Sequence, residues 1–440
     1  MKWIAAMLLT LFPTVALASS GVPSIGPIRL EFIIFALTLV GVATLHKHAM
    51  QVALTGFVLV VLTKYFFAEH FSLLHHIIGG NGEEGEWRVL LNLLGLLFGF
   101  AILAKHFEES KLPDVLPNYL PGGWKGGFVL LALICIISSF LDNIAAAMIG
   151  GTIALVVFKG KVHIGYLAAI VAASNAGGAP SVVGDTTTTL MWIAGVSPLA
   201  VMHAAVAALA SILIIGYFGA KQQHAHQPIV KNKVTVQVEW VRIAIVFFIL
   251  VCAIATNYLL DFPAVGVWVA ILLGATISKT PWEEIRNAWR GTVFLMALIA
   301  CASLMPVEEL PAASPWTAFG LGFVSAVFDN IPLTKLCLDQ GGYDWGCLAY
   351  TVGFGGSMIW FGSSAGVALS NKFPEAKNTW AYIKNGWHVT AAYVISFFIM
   401  WGVMGWHPTE IQKETASARH IQEVIVPAPA AAVVSAPAAK

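Results

Sequence analysis

A carboxylate and an amide lie side by side within an apolar run, and the chain contains this arrangement twice. Residues 138–147 read SSFLDNIAAA around Asp142, and residues 325–334 read SAVFDNIPLT around Asp329. A charged side chain at the centre of a membrane-spanning segment costs about 2.5–3.5 kcal/mol on insertion scales. Such acids usually face an interior path, so the duplicated pair predicts a functional site around which the chain is organised.

The composition predicts an integral membrane protein. Hydrophobic residues make up 58% of the chain and charged residues 11%, against about 45–50% apolar and 25% charged residues in soluble domains. Apolar stretches of about 18 or more residues recur, which is long enough to cross a bilayer as helices. A net charge of +1 without a basic cluster gives no reason to expect nucleic acid as a partner. The expected partner is the lipid bilayer.

The chain divides into two similar halves. Residues 1–19 predict a secretory signal peptide, with a retained first helix as the alternative. The expected domains are a first repeat at 20–220, a cytoplasmic linker at 221–238, a second repeat at 239–406 and a disordered tail at 407–440. Each repeat contains an apolar stretch around its Asp-Asn pair, near 126–158 and near 315–338, and a glycine-interrupted helix, near 165–190 and near 345–370.

The stretch around Asp142 is either one crossing helix or a re-entrant hairpin. Lysines flank it at both ends, which favours a hairpin whose two ends lie on one side of the membrane. In the broken helices, residues 177–186 align with residues 355–364 without a gap and superimpose three glycines. Interrupted helices at membrane depth must face protein or a water-filled cavity.

The predicted fold is therefore an all-α polytopic membrane protein with two repeats of five transmembrane helices, one of them broken, plus a re-entrant helical hairpin. Five crossings per repeat would invert the second copy relative to the first. Lysine and arginine residues concentrate in the predicted inner loops and acids in the outer ones, as the positive-inside rule requires. This topology puts the linker in the cytoplasm and the tail outside.

Inverted repeats with interrupted segments indicate a secondary transporter whose site lies at the midplane. Ser138 and Asp142 are four residues apart, as are Ser325 and Asp329, and would share a helix face. Together with unwound backbone at Gly184 and Gly362, these oxygens could form a cage for a hard cation such as Na⁺. The chain has no Walker-type phosphate loop, nucleophile elbow or HExxH motif, which argues against a pump or a protease.

Structural roles compete with these functional ones. Asp142 could be a helix-capping acid, and Asp185 could cap the helix that follows it. Asn143, Asn175 and Asn330 could be either ligands or amides that stabilise the hairpins. Most of the threonines from Thr186 to Thr189 are expected to satisfy backbone groups. Lys335 could be an internal counter-ion, but it is expected to extend toward the outer surface or to pair with a nearby acid.

These segments resemble the ion transporter superfamily and, within it, the NhaD-type Na⁺/H⁺ antiporters, which contain a citrate-transporter-like domain. The resemblance extends over residues 28–405 and depends on SSFLDNIAAA, SAVFDNIPLT, SNAGGAPSVVGDTTT and GGSMIWFGSSAGVALS. It implies an elevator-type fold in which hairpins and broken helices move against a scaffold, often as a homodimer. It also implies a transporter rather than an enzyme, with Na⁺ and H⁺ as transported ions and no cofactor.

The resemblance also implies the site residues. Asp142, Asp329 and Asp185 would exchange Na⁺ (or Li⁺) for H⁺, with Asp142 and Asn143 as direct Na⁺ ligands. The other cation-binding positions would be Ser138, Asn175, Gly184, Thr187, Thr188, Ser325, Asn330, Gly362 and Ser364. The second half has Ser363-Ser364 where the first has Asp185-Thr186, so an equivalent second site is in doubt.

The expected function is Na⁺/H⁺ exchange across a bacterial inner membrane. One alternative is Na⁺-coupled symport of a carboxylate or another anion of the citrate or arsenite type, although an acidic hairpin tip would repel such a substrate. A second alternative is a membrane sensor or structural protein that keeps the transporter fold without turnover.

Overall fold

The computed structural model describes residues 22–410 apart from residues 27, 46–47, 69, 81–82 and 231–234. The described chain is predominantly helical. The proposed signal peptide at 1–19 and most of the proposed tail lie outside the described residues.

The first half contains eleven described helices, which are numbered in chain order. They are α1 (Leu30–Thr44), α2 (Ala49–Phe67), α3 (Leu73–Ile78), α4 (Trp87–Glu109), α5 (Leu112–Val115), α6 (Trp124–Ser138), α7 (Asn143–Val157), α8 (Ile164–Gly178), α9 (Thr186–Ile193), α10 (Pro198–Met202) and α11 (Ala204–His226). Two antiparallel pairs of two-residue strands lie near α1 and α4: β1 (Ser24–Ile25) with β2 (Ile28–Arg29), and β3 (Gly79–Gly80) with β4 (Glu83–Glu84).

The second half contains nine described helices. They are α12 (Trp240–Leu260), α13 (Pro263–Gly274), α14 (Glu283–Ala302), α15 (Pro315–Ser325), α16 (Asn330–Gln340), α17 (Trp345–Gly355), α18 (Ser364–Lys372), α19 (Thr379–Asn385) and α20 (Trp387–Met404). Short 3₁₀ turns lie at Leu116–Tyr119, Val307–Glu309 and Pro374–Lys377.

The expected boundary between the first repeat and the linker does not coincide with the end of a helix. Helix α11 continues to His226, six residues into the segment expected to be linker. Lys221 and the polar residues after it end the apolar run, but they are compatible with a helix and continue it. The amphipathic turn α3 and the break at Gly386 between α19 and α20 also carry too weak a hydropathy signal to be predicted.

Both Asp-Asn segments are pairs of helices that fold back on themselves. In the first hairpin (124–157), Ile134 packs onto Gly150, so positions equally far from the tip at Asp142 meet. In the second hairpin (315–340), Gln340 at the end of α16 donates hydrogen bonds to the carbonyls of Leu310 and Pro311, which precede α15. The chain therefore reverses direction at each Asp-Asn pair.

The helices pack as two groups. The scaffold group consists of α1, α2, α4, α12, α13 and α14, and the hairpin group consists of the helices from α6 to α11 and from α15 to α20. Within the hairpin group, each half packs onto the other: α18 packs on α7 of the first hairpin, and α9 packs on α16 of the second. The two groups meet mainly where α16 packs on α14 and where α9 packs on α4.

Five helical segments in the described part of the chain are long and apolar enough to cross a membrane. They are Ala49–Phe67, Trp87–Glu109, Pro198–His226, Trp240–Leu260 and Trp387–Met404. Shorter apolar helices accompany them, including both helices of the first hairpin. Large apolar side chains such as Phe247, Tyr258 and Leu272 are more than half exposed, as expected for surfaces that face lipid.

Candidate functional site

The four helices that start at the two hairpin tips and the two helix breaks each begin at a capping side chain, and three of these four caps are acids. The Asp142 carboxylate accepts a hydrogen bond from the backbone N–H of Ile144 at the start of α7, and Asp329 accepts one from Ile331 at the start of α16. Asp185 caps α9 through Thr187, and Ser363 caps α18 through Gly366. The capping role considered for Asp142 and Asp185 is therefore real, and it leaves other carboxylate oxygens available.

The serines before the acids fasten the hairpins to the broken helices. Ser138 Oγ donates to the Ser174 carbonyl at 2.6 Å, and Ser325 Oγ donates to the Val352 carbonyl at 2.6 Å. The expectation that each serine shares a helix face with its acid is wrong, because α6 ends at Ser138 and α15 ends at Ser325. The chain turns before each acid, which then belongs to the next helix.

The two breaks are held by similar contacts in both halves. A methyl group on Gly184 would collide with the Ser138 carbonyl, and one on Gly362 would collide with the Ala326 carbonyl. Likewise, Gly177 leaves no room beside the Cys135 carbonyl, and Gly355 leaves none beside the Gly322 carbonyl. Glycine is needed at these positions because backbone approaches backbone there.

Each hairpin acid also meets a hydroxyl from the broken helix of its own half. Thr186 Oγ1 lies 3.5 Å from Asp142 Oδ1, and Ser364 Oγ lies 3.5 Å from Asp329 Oδ2. These contacts are long for O–H···O hydrogen bonds. One oxygen of each acid is therefore held only weakly.

A buried chain of polar side chains runs through the first half of the site. Asn143 Nδ2 donates to Asp185 Oδ2 at 3.0 Å and to Asn175 Oδ1 at 2.9 Å. Asn175 Nδ2 in turn donates to Ser357 Oγ at 2.8 Å. Because a carboxylate can only accept hydrogen bonds, Asp185 fixes the orientation of the Asn143 amide. Both N–H groups of Asn143 are then used, so its Oδ1 is available as a ligand.

The second half lacks this chain. Asn330 stands where the first half has Asn143, but its buried Nδ2 has no hydrogen-bond partner in the described part of the chain. By the alignment of the breaks, Gly353 occupies the position of Asn175 and Ser363 that of Asp185. An atom added at Gly353 would lie 3.5 Å from Asp185 Oδ2, so there is room for a methyl group beside this carboxylate.

The hydroxyls of the remaining threonines in this run differ in their hydrogen bonds. Thr188 Oγ1 donates to the carbonyls of Ser181 and Asp185, and Thr189 Oγ1 donates to those of Val182 and Asp185. They satisfy backbone groups in the break, as expected for most of this run. Thr187 Oγ1 is buried and makes no hydrogen bond of ordinary geometry to any described residue.

Among the described residues, none of the three acids has a basic partner. The ion pairs found there involve none of Asp142, Asp185 and Asp329. A helix N-terminus stabilises a nearby carboxylate by about 0.3–1 kcal/mol. This is less than the cost of about 2.5–3.5 kcal/mol for a charge in the centre of a membrane. A cation or a proton is needed to neutralise these acids.

Sequence reasoning missed two participants, Ser357 and Gly353, and did not select Thr186 as a ligand. Ser357 accepts the hydrogen bond of Asn175 from the other half of the chain. The alignment of 177–186 with 355–364, extended by two residues toward the N-terminus, pairs Asn175 with Gly353. It shows that the second half lacks the amide that Asn175 supplies in the first. The contact between Asn175 and Ser357 could not be found in this way, because it joins positions that do not correspond.

The chain is similar to known membrane transporters. A family model described as citrate transporter matches residues 32–355. The Na⁺/H⁺ antiporter NhaD of Vibrio parahaemolyticus is 26% identical over 393 residues, which cover 73% of this chain and 92% of that protein. The NhaD antiporter of Alkalimonas amylolytica is 25% identical in an alignment of 448 positions, which covers 84% of this chain and 90% of that protein.

A plant protein extends this similarity. Sodium/proton antiporter 1 of Arabidopsis thaliana is 28% identical over 327 residues, which cover 64% of this chain and 56% of that protein. These matches confirm the resemblance found from the four motifs.

Proposed function

The chain belongs to the citrate transporter family, and from this premise we propose that it is a secondary transporter that exchanges Na⁺ or Li⁺ for H⁺. The observation that carries the proposal is the set of three acids, each without a basic partner among the described residues, at four helix ends that meet. A carboxylate in this setting is stable when it binds a cation or a proton. Competition between the two for the same oxygens couples their movements in opposite directions.

The first half supplies the main cation site in this proposal. Asp142 contributes its weakly held carboxylate oxygen, and Asn143 contributes the Oδ1 that its neighbours leave free. Carboxylate, amide and backbone carbonyl oxygens form the ligand set that hard cations prefer. Gly184, in the break between α8 and α9, lies against the Ser138 carbonyl at the tip of the first hairpin. The two segments are therefore close enough for a backbone carbonyl to complete this ligand set.

Asp185 acts differently from the two hairpin acids in this proposal. Both of its oxygens accept hydrogen bonds, from Thr187 N and from Asn143 Nδ2. It therefore orients Asn143 and supplies negative charge, while Asp142 and Asp329 exchange the ions. In the second half, Asp329 and Ser364 offer fewer fixed oxygens, with Ser325, Asn330 and Gly362 around them.

Symport of a carboxylate or another anion is less well supported. An anionic substrate needs basic side chains or free N–H groups to bind it. The helix N-termini of the site already donate to Asp142, Asp329 and Asp185, and no lysine or arginine is paired with these acids in the described part of the chain. The NhaD relatives carry the name of Na⁺/H⁺ antiporters, which agrees with the acidic site.

The proposed architecture consists of inverted repeats at 20–220 and 239–406 that work as an elevator. The duplicated contacts of the serines, glycines and hydroxyls support the repeat, and the distribution of lysines and acids in the loops supports the inversion. The separate packing of the hairpin group and the scaffold group supports movement of one against the other. We further propose a homodimer in a bacterial inner membrane, with the linker in the cytoplasm and the C-terminal tail outside.

The test is a flux measurement in proteoliposomes with an imposed pH gradient. Addition of Na⁺ or Li⁺ should collapse the gradient, whereas K⁺, citrate and dicarboxylates should not. Accumulation of labelled citrate that depends on Na⁺, with no effect of Na⁺ on the pH gradient, would overturn the proposal in favour of symport. Na⁺ binding without flux of any ion would instead indicate a sensor.

A further inference from the structure

A largely buried cluster of charges joins the second hairpin to the scaffold. Lys335 lies on α16, six residues after Asp329, and its side chain is 6% exposed. Its Nζ donates to both carboxylate oxygens of Glu86 at 2.9 Å and to Asp339 Oδ1 at 2.7 Å. The prediction that Lys335 pairs with a nearby acid is thus confirmed, with two acids instead of one.

The two acids belong to different packing groups. Asp339 is on α16 itself, whereas Glu86 immediately precedes the scaffold helix α4. Glu86 N–H donates to the carbonyl of His76, and His76 Nε2 is 3.0 Å from Ser303 Oγ at the end of α14. Glu86 is therefore held by the scaffold, and Lys335 connects it to the hairpin group.

Apolar packing beside these charges closes the same interface. Leu336, next to Lys335, is 8% exposed and belongs to the packed cluster that contains Ala302 and Met305 of the scaffold side. Among the described helices, α16 packs along α14, whereas α7 of the first hairpin touches the scaffold side mainly through the short helix α5. The structure is thus asymmetric: the second hairpin packs against the scaffold, whereas the first hairpin has few contacts with it.

The first hairpin has no equivalent of this charge cluster. With the spacing of 187 residues between Asp142 and Asp329 (329 minus 142), Lys335 corresponds to Met148 and Asp339 to Thr152. An uncharged methionine and a threonine cannot form the same contact with a scaffold acid. At these corresponding positions, the described first hairpin therefore offers no charged side chain to the scaffold.

We propose that Lys335, Glu86 and Asp339 form a latch that holds the second hairpin against the scaffold and favours this conformation at rest. This inference rests on the proposed function in one respect, the movement of the hairpin group against the scaffold. The latch opens when the hairpin group moves and Lys335 leaves Glu86. Asp339 moves with Lys335 and keeps it paired, which limits the cost of opening.

The experiment measures the reaction of a buried cysteine with a maleimide in the full chain in nanodiscs. Leu336→Cys is the reporter at the interface, in a background in which Cys135, Cys252, Cys301, Cys337 and Cys347 are replaced by serine or alanine. Nanodiscs expose both membrane faces, so the result does not depend on topology or on transport activity. Ala173→Cys, inside the hairpin group and fully buried, reports general unfolding.

Glu86→Gln and Lys335→Met should each raise the labelling rate at Leu336→Cys about 10- to 100-fold, the range expected for loss of a hydrogen bond between charged groups. The Ala173→Cys rate should not change. The exchanged pair Glu86→Lys with Lys335→Glu should return the Leu336→Cys rate toward the original value. Glu108→Gln, which breaks an exposed ion pair at Lys105, is the matched control and should have no effect.

Unchanged labelling at Leu336→Cys in Glu86→Gln would overturn the latch, and so would an equal rise at Ala173→Cys. If Lys335→Met fails to fold, the Glu86→Gln variant alone tests the latch. In that variant Lys335 keeps its partner Asp339, so no unpaired charge is left buried. The outcome is separable from Na⁺/H⁺ exchange: a protein with a working latch and no exchange would contradict the proposed function alone.

Discussion

Asn143 and Asn330 hold corresponding positions at the two hairpin tips, but their hydrogen bonds differ. Asn143 donates to Asn175 and Asp185, whereas Asn330 Nδ2 has no acceptor among the described residues. An amide held by two acceptors presents its oxygen in a fixed direction, which favours binding of a cation. This difference at one atom distinguishes the two halves of the site.

Substitution of these two asparagines should therefore have unequal effects. Asn143→Ala should raise the KM for Na⁺ at least about tenfold, because it removes a ligand and leaves Asp185 Oδ2 without its side-chain donor. Asn330→Ala removes no hydrogen bond made by Nδ2 and should raise the KM less. Both values come from Na⁺ titrations of exchange in proteoliposomes. Equal effects of the two substitutions would contradict the asymmetric site.

Gly184 is a second position where one atom should matter. Gly184→Ala would force a methyl group into the Ser138 carbonyl, and overpacking of this kind typically costs about 1–3 kcal/mol. The thermal unfolding midpoint in detergent should fall. Gly402→Ala is the matched control, because nothing lies within 4 Å of the added methyl group there. A midpoint that is unchanged in Gly184→Ala would show that the break can relax.

At the residue scale, the sequence indicated which side chains come together but not their partners. The duplicated Asp-Asn pairs, glycines and serines all lie where the two hairpins and breaks meet. Ser138 was expected to act with Asp142 and instead bonds to Ser174, because the position at which a helix ends decides which way a side chain points. Contacts such as that of Asn175 with Ser357 join distant segments, which periodicity alone does not reveal.

At the element scale, the hairpins and broken helices of the two halves pack crosswise. Helix α18 of the second half packs on α7 of the first hairpin, where Leu369 fills the space left by Gly151. Lengths and apolar runs predicted these elements, because a lipid environment requires long helices with satisfied backbones. The pairing of elements was not predictable, since apolar surfaces are similar on every helix.

The crosswise packing can be weakened at Leu369. Leu369→Ala should lower the stability of the protein by about 2–5 kcal/mol, because Leu369 is 1% exposed and its removal leaves a cavity. Leu272→Ala, at a position that is 57% exposed, should have little effect. Denaturation in detergent monitored by tryptophan fluorescence gives both values. Similar stabilities for the two variants would mean that this contact does not hold the halves together.

At the scale of the whole molecule, the account depends on the inversion of the second half. Lys161 is exposed beside the base of the first hairpin, and Ala312 is exposed beside the base of the second. Lys161→Cys should react with a membrane-impermeant maleimide only from the cytoplasmic side, and Ala312→Cys only from outside. Whole cells and everted vesicles provide the two sides. Reaction of both positions from the same side would contradict inverted repeats.

The most direct test of the central claim is Na⁺-dependent dissipation of a pH gradient by Asp142→Asn in proteoliposomes. Asparagine keeps the size and the oxygen of the side chain but removes the charge that Na⁺ and H⁺ compete for. Exchange should fall to the background of empty liposomes, whereas Asp114→Asn, a control at an exposed acid, should exchange Na⁺ at the rate of the unmodified protein. Full exchange by Asp142→Asn would contradict the account.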